Sequence, residues 1–147
     1  MEYSKEQLQQ QFPIVLTQPL IWGDMDAYDH INNTVYFRYF EDARIAYFEK
    51  IGVNEHKRET NLGPILASTS CNFRLPLQYP DQIHIVATIE DLKEKRFTMK
   101  YKVYSQSHDA LAAEGEGLVV FYDYNQQKSC PIPEAIVERI QALSDAG

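Results

Sequence analysis

Apolar positions along this chain are spaced in two different ways. Between residues 34 and 51 they recur at helical intervals, at Tyr36, Tyr39 or Phe40, Ala43, Ala46 or Tyr47, and Ile51. Three successive residues of helix-starting type, Asn32, Asn33 and Thr34, stand in front of them, and Gly52 falls where such a helix stops. The helix is apolar over more than half of its circumference. Its charges are grouped, with Arg38 and Asp42 at i,i+4 and Glu41 and Arg44 at i,i+3. A helix of that kind is predicted to be wrapped by other structure rather than laid on a surface.

Elsewhere the period is two. A first strand is predicted from about residue 13 to 22, carrying Ile14, Val15, Leu16, Leu20, Ile21 and Trp22. NEHKRETN reads as a polar connector, and GPILASTSCNFRLPL as a strand ended by Pro76 and Pro80. Ile83, Ile85, Ala87 and Ile89 alternate with His84, Val86, Thr88 and Glu90; after a hairpin at 92–95, Phe97, Met99, Tyr101 and Val103 alternate in the same way. A turn at 107–109 leads into ALAAEGEGLVVFYDY, where Gly115 and Gly117 suggest a bulge or a close approach of backbone or ligand. Residues 131–143 read as a short terminal helix. The four later strands are expected to be consecutive meanders, giving an antiparallel sheet with helix on one face.

Composition narrows the partners. The formal charge is −7 with no basic cluster, which excludes nucleic acid as a main partner. No apolar run approaches the ~20 residues of a membrane span, and the N-terminus shows no secretory pattern. Cys71 and Cys130 stand apart without a metal-ligand spacing, so free thiols in a cytoplasmic protein are expected, as a single domain over 1–147 with no metal or redox cofactor.

Candidate chemistry is concentrated where the first strand gives way to the helix. GDMDAYDHINN holds three carboxylates and a histidine in eleven residues. By residue type alone these are turn and capping residues. The helix N-terminus behind them also offers unpaired N–H groups, about half a positive charge in total, to a developing oxyanion. His56, His84 and His108 have nothing arranged around them and read as surface or packing residues.

The longer stretch GDMDAYDHINNTVYFRYFEDAR resembles the N-terminal signature of the 4-hydroxybenzoyl-CoA thioesterase-like family of hotdog proteins. Asp24, Asp26, His30, Ile31, Asn32, Asn33, Tyr36, Tyr39 and Glu41 stand at the positions of its pattern; Asp29 departs from it, since many members have glycine there. The resemblance implies an α+β hotdog fold, a long central helix wrapped by a curved antiparallel β-sheet of about five strands. It also implies a homodimer or homotetramer with active sites at the dimer interface, and hydrolysis of acyl-CoA thioesters. Asp26 is the candidate nucleophile or general base, and the N–H groups of Asn33 and Thr34 are candidate oxyanion donors. His30 and Asn32 are placed to hold the loop or position water, and Tyr36 to line the substrate site. Arg74, Lys95 and Arg96 are candidates for the coenzyme A phosphates, or else solvated strand-end charges. Glu41 is explained by its helical pairing with Arg44, although another thioesterase branch uses a helix glutamate. Release from acyl carrier protein, a non-catalytic acyl-CoA sensor and a hotdog dehydratase are the competing readings.

Overall fold

The computed structural model describes residues 3–146. Helices α1 (Lys5–Gln11), α2 (Asn33–Lys50), α3 (Val53–Thr60) and α4 (Glu134–Ala146) accompany strands β1 (Ile14–Pro19), β2 (Leu62–Phe73), β3 (Gln82–Glu90), β4 (Arg96–Ser105), β5 (Ala110–Asp123) and the two-residue β6 (Lys128–Ser129). Every strand pair is antiparallel, in the order β1-β3-β4-β5-β2, with β6 beside the end of β5. The curled sheet around a long helix is the hotdog fold. Among the described residues no helix is long and apolar enough to cross a membrane.

The central helix forms where its periodicity places it. Asn32 caps it, and Tyr36, Tyr39, Phe40, Ala43, Tyr47 and Phe48 are buried along it. Gly52 follows with φ 77°, a left-handed conformation that ends α2 at no steric cost to glycine. Arg139 of α4 then donates to the Ile51 carbonyl at 3.1 Å, satisfying one of the helix's last acceptors. The Phe40 ring stacks on Tyr101 of β4, with centroids 4.8 Å apart and planes 9° from parallel. That approach is possible because β5 carries no side chain at Gly115: a Cβ there would stand 2.5 Å from Phe40 Cε2.

Three local expectations are corrected, and one helix is added to them. The first strand stops at Pro19, and Trp22–Asp24 form a 3₁₀ turn, leaving Ile21 and Trp22 exposed. The polar connector is the helix α3; Val53 is its one buried residue, too little to mark an apolar stripe. Residues 5–11 are also helical, started by a capping box between Ser4 and Gln7. Finally, only β3, β4 and β5 meander consecutively. β2 pairs with β5 at the far edge, because residues 74–81 form no tight turn; they run past the start of α2, where Ile31 N–H donates to the Leu77 carbonyl at 2.8 Å and Leu77 is wholly buried. Of the helical charge pairs expected on α2, neither forms: the ion pairs among the described residues are Arg74–Glu114 and Lys100–Glu116, both on the sheet.

Helix α1 covers a second, smaller core on the outer face of the sheet, built on Leu8, Val86 and Tyr104. His84 lies buried on that face, its Nδ1 2.8 Å from Thr17 Oγ1 and its Nε2 without a partner among the described residues. Burial holds its pKa below the ordinary value; Glu6 and Asp81 oppose the shift, while Lys5 adds to it. A depressed folded pKa means the neutral ring's contribution to stability is complete above about pH 6.5 and is lost as pH falls through the folded value. The melting temperature is therefore expected to drop on acidification below about pH 6.5, and His84→Gln to flatten that slope. Equal slopes in the two proteins would refute the role of His84.

Candidate active site

The three carboxylates of the opening loop have three different fates. Residues 25–31 fold as a miniature hairpin: Met25 and Ile31 form an isolated bridge, and Asp26 N–H donates to the His30 carbonyl at 2.9 Å. Its tip closes by an Asp29 N–H bond to the Asp26 carbonyl, with Asp29 at φ 63°. The left-handed tip explains why glycine suits this position, and aspartate is among the side chains that tolerate it. Asp29 is exposed and serves the turn. Asp24 lies on the other flank of the loop, in a recess of about 310 Å³ with Gln18, Pro19, Ile21, Arg38, Tyr39 and Asp42. There its charge, after burial, adds to the upward shift of the Tyr39 phenol.

Asp26 alone of the three faces the cavity at the helix start. That cavity, of about 340 Å³, is lined by Asp26, His30, Ile31, Asn33, Tyr36, Phe73, Arg74, Leu75 and Pro76. One Asp26 oxygen, Oδ1, accepts the Tyr28 N–H at 2.9 Å, which orients the carboxylate from within its own turn. Tyr36 forms one wall, its ring edge-on to Phe73 at 4.9 Å. Burial pushes its phenol up to about 12, against the Leu77 backbone hydrogen bond, so at neutral pH it is a hydrogen-bond donor and not a base. Arg74 reaches the rim and donates to Glu114 Oε1 at 2.6 Å, which holds that carboxyl below the usual range.

Not every residue singled out from the sequence meets there. Asn32 is the helix cap: its Oδ1 accepts both the Thr34 N–H and the Thr34 hydroxyl at 3.0 Å. Thr34 N–H is thus already engaged and is not available to an oxyanion, contrary to expectation. Asn33 N–H has no acceptor among the described residues. Arg96 is remote. Phe73 aligns through Ala113 with Val103, seven residues along β4 from Arg96, or about 23 Å of strand. Within one subunit Arg96 does not reach this cavity. Phe73, Leu75 and Pro76 were missed, because they lie some forty residues away in sequence and carry no chemical signal.

Cys71 is excluded as a nucleophile. Burial pushes the Cys71 thiol up to about 11, so it is not a thiolate at neutral pH. Among the described residues no group of three His, Cys, Asp or Glu is placed to hold a metal ion. The cap itself is testable. Asn32→Ala is expected to lower unfolding stability by about 1 kcal/mol, while Asn32→Asp retains the bond. Urea midpoints measure this, and an unchanged midpoint in Asn32→Ala would show that the cap contributes nothing.

The geometry can be set beside known proteins. A family model described as the thioesterase-like superfamily matches residues 20–140. A protein of Aquifex aeolicus (strain VF5), provisionally named an esterase, is 26% identical over 127 residues, covering 86% of this chain and 96% of its own. The long-chain acyl-CoA thioesterase FadM of Escherichia coli (strain K12) is 20% identical over 81% of this chain and 90% of its own length. Among solved structures, a thioesterase from Thermus thermophilus, complexed with coenzyme A and Zn, superposes with a TM-score of 0.80 at 28% identity, covering 91% of this chain and 96% of that one.

Proposed function

From the premise that this chain belongs to the thioesterase-like superfamily, we propose that it hydrolyses acyl-CoA thioesters to the free acid and coenzyme A. The observation that carries this reading is that Asp26 and Asn33 line one open cavity at the start of the helix, where the Asn33 N–H has no acceptor among the described residues.

A thioester needs little more than those two parts. Its leaving thiolate has a conjugate-acid pKa near ~8.5 and departs without strong acid assistance. The thioester carbonyl lies with its oxygen toward Asn33 N–H, where the α2 dipole adds to the bond as negative charge develops. Asp26 then takes one of two roles. As a general base it removes a proton from water as the oxygen adds to the carbonyl carbon, and returns that proton to the departing thiolate. As a nucleophile it adds directly, expels the thiolate and forms a mixed anhydride that water opens. His30 positions water at the rim, and the Tyr36 hydroxyl offers a neutral donor to the acyl group.

Arg74 is the candidate for a coenzyme A phosphate in the same subunit. Arg96 serves only if a second copy brings it in. Strand β2 supports such a copy: it is a sheet edge, and it is exposed from Ile65 through Ser70. An unpaired edge with exposed apolar residues is a template for strand pairing, and two β2 edges meeting would make a dimer with both sites near the junction. The free thiols Cys71 and Cys130 suit a cytoplasmic setting.

The test is thiol release from short, long and aromatic acyl-CoAs by the purified protein, with its two cysteines titrated separately. Turnover of at least one class supports hydrolysis. Tight binding of acyl-CoAs without turnover would instead make the protein a sensor.

A further inference from the structure

The loop that carries Asp26 has a second recess on its other flank. That recess, of about 310 Å³, shares no lining residue with the Asp26 cavity. Pro19 and Ile21 give it an apolar side, while Asp24, Arg38, Tyr39 and Asp42 bring polar groups from the 3₁₀ turn and from α2. Arg38 and Asp42 stand one turn apart on α2, a spacing at which such side chains can pair. Among the described residues no ion pair joins them, and none joins Arg38 to Asp24. One guanidinium and two carboxylates are thus held around the recess without closing on each other.

Tyr39 adds an independent observation. It is 3% exposed, and its hydroxyl has no hydrogen-bond partner among the described residues. The charged side chains that act on its phenol are Asp24, Arg38 and Asp42, so the hydroxyl end of the ring points toward the recess that all three line. Buried hydroxyls are almost always hydrogen-bonded, and one that is not gains from any ligand that completes the bond. The Asp42 carboxyl is raised by burial and then by Glu41, with Arg38 opposing, so it gains from a cation set beside it.

We propose that this recess is a binding site for a free aliphatic α-amino acid in its zwitterionic form. The ammonium group lies between Asp24 and Asp42. The carboxylate closes on the fork of Arg38, which donates to both oxygens at once. It also gives the Tyr39 hydroxyl an acceptor, after a side-chain adjustment, since that hydroxyl lies just beneath the recess surface. Pro19 and Ile21 receive the aliphatic side chain. An amine by itself would leave Arg38 and Tyr39 unmatched, and a carboxylate by itself would meet two like charges. A ligand with both charges a few atoms apart satisfies all four groups. The site is separate from the proposed hydrolysis and is tested without any thioester.

Trp22, the one tryptophan of the chain, directly follows Ile21 and is 69% exposed, so its fluorescence reports on the recess. The protein is titrated with L-leucine, with 4-methylpentanoate, which lacks the ammonium group, and with 3-methylbutylamine, which lacks the carboxylate. Calorimetry gives the stoichiometry. Native protein is expected to bind one leucine per chain, at least tenfold more tightly than either fragment. Arg38→Gln is expected to bring leucine down to the affinity of the amine, and Asp42→Asn to weaken leucine at least tenfold. Tyr39→Phe is expected to weaken it severalfold with no loss in melting temperature, because the hydroxyl removed has no partner within the protein. Absence of saturable leucine binding would overturn the proposal. So would an amine that binds native protein as tightly as leucine, or leucine binding unchanged in both Arg38→Gln and Asp42→Asn. The comparison of the three ligands needs only native protein, so it decides the matter even where a variant fails to fold.

Discussion

Asp26→Asn is expected to lower kcat for acyl-CoA hydrolysis by about 10²–10⁴-fold, the range for removing a positioned base, with the larger losses if Asp26 is the nucleophile. The substitution keeps the acceptor Oδ1 that receives the Tyr28 N–H, so the loop retains its turn. It removes only the negative charge and the basicity, and the variant is expected to bind substrate with a KM near native. Stopped assays with the best thioester of the panel, alongside circular dichroism and sedimentation, read the outcome. Turnover that persists in a folded variant would exclude Asp26 and turn the search to His30 and Glu41. The two roles of Asp26 are separable by single turnover in ¹⁸O-labelled water. A mixed anhydride opened at the protein carbonyl leaves label in Asp26, whereas general-base attack places it only in the product acid.

Gly115→Ala is expected to destabilise the protein by about 3 kcal/mol, at the upper end for overpacking a filled site. The added Cβ would stand 2.4 Å from the Ser70 carbonyl oxygen and 2.5 Å from Phe40 Cε2. The carbonyl belongs to the paired strand and cannot rotate away, while Phe40 is held by its stacking on Tyr101. The strain therefore spreads into α2, the element that presents Asn33 to the cavity. A melting temperature lower by about 6–12 °C is expected for a domain of this size, together with a raised KM. Gly23→Ala is the control: nothing lies within 4 Å of its Cβ position, and its change is expected within about 0.5 kcal/mol. Equal melting temperatures for the two variants would show that β5 tolerates a side chain at Gly115.

Much of this protein is written in local patterns. The helix from Asn33 to Lys50 could be read because its start, apolar spacing and stop are all short-range properties, set by backbone hydrogen bonding and side-chain period. The alternation in β3 and β4 and the turns at 92–95 and 107–109 were legible for the same reason. So was the loop, since turn-forming and capping types fall together in GDMDAYDHINN, and the family signature lies wholly within one contiguous run. Helix α3 was missed because a helix that buries only Val53 leaves no stripe, and α1 because its apolar surface is essentially Leu8.

What stayed hidden depends on which distant residues share a face. Composition cannot say that β2 skips β3 to pair with β5, because that choice follows from how residues 74–81 cross the start of α2. The crossing brings Phe73, Arg74 and Pro76 to Asp26 and leaves Arg96 at the other end of the sheet. The small hairpin turns Asp24 and Asp26, two residues of one type separated by a single methionine, to opposite flanks, and the crossing lays its residues over the flank of Asp26 alone. The sequence by itself determined the elements, the loop and the kind of chemistry, since these arise from neighbours along the chain. Only the tertiary structure decided which carboxylate shares a cavity with Phe73, Arg74 and Pro76 and where Arg96 lies, because those depend on contacts between elements far apart in sequence.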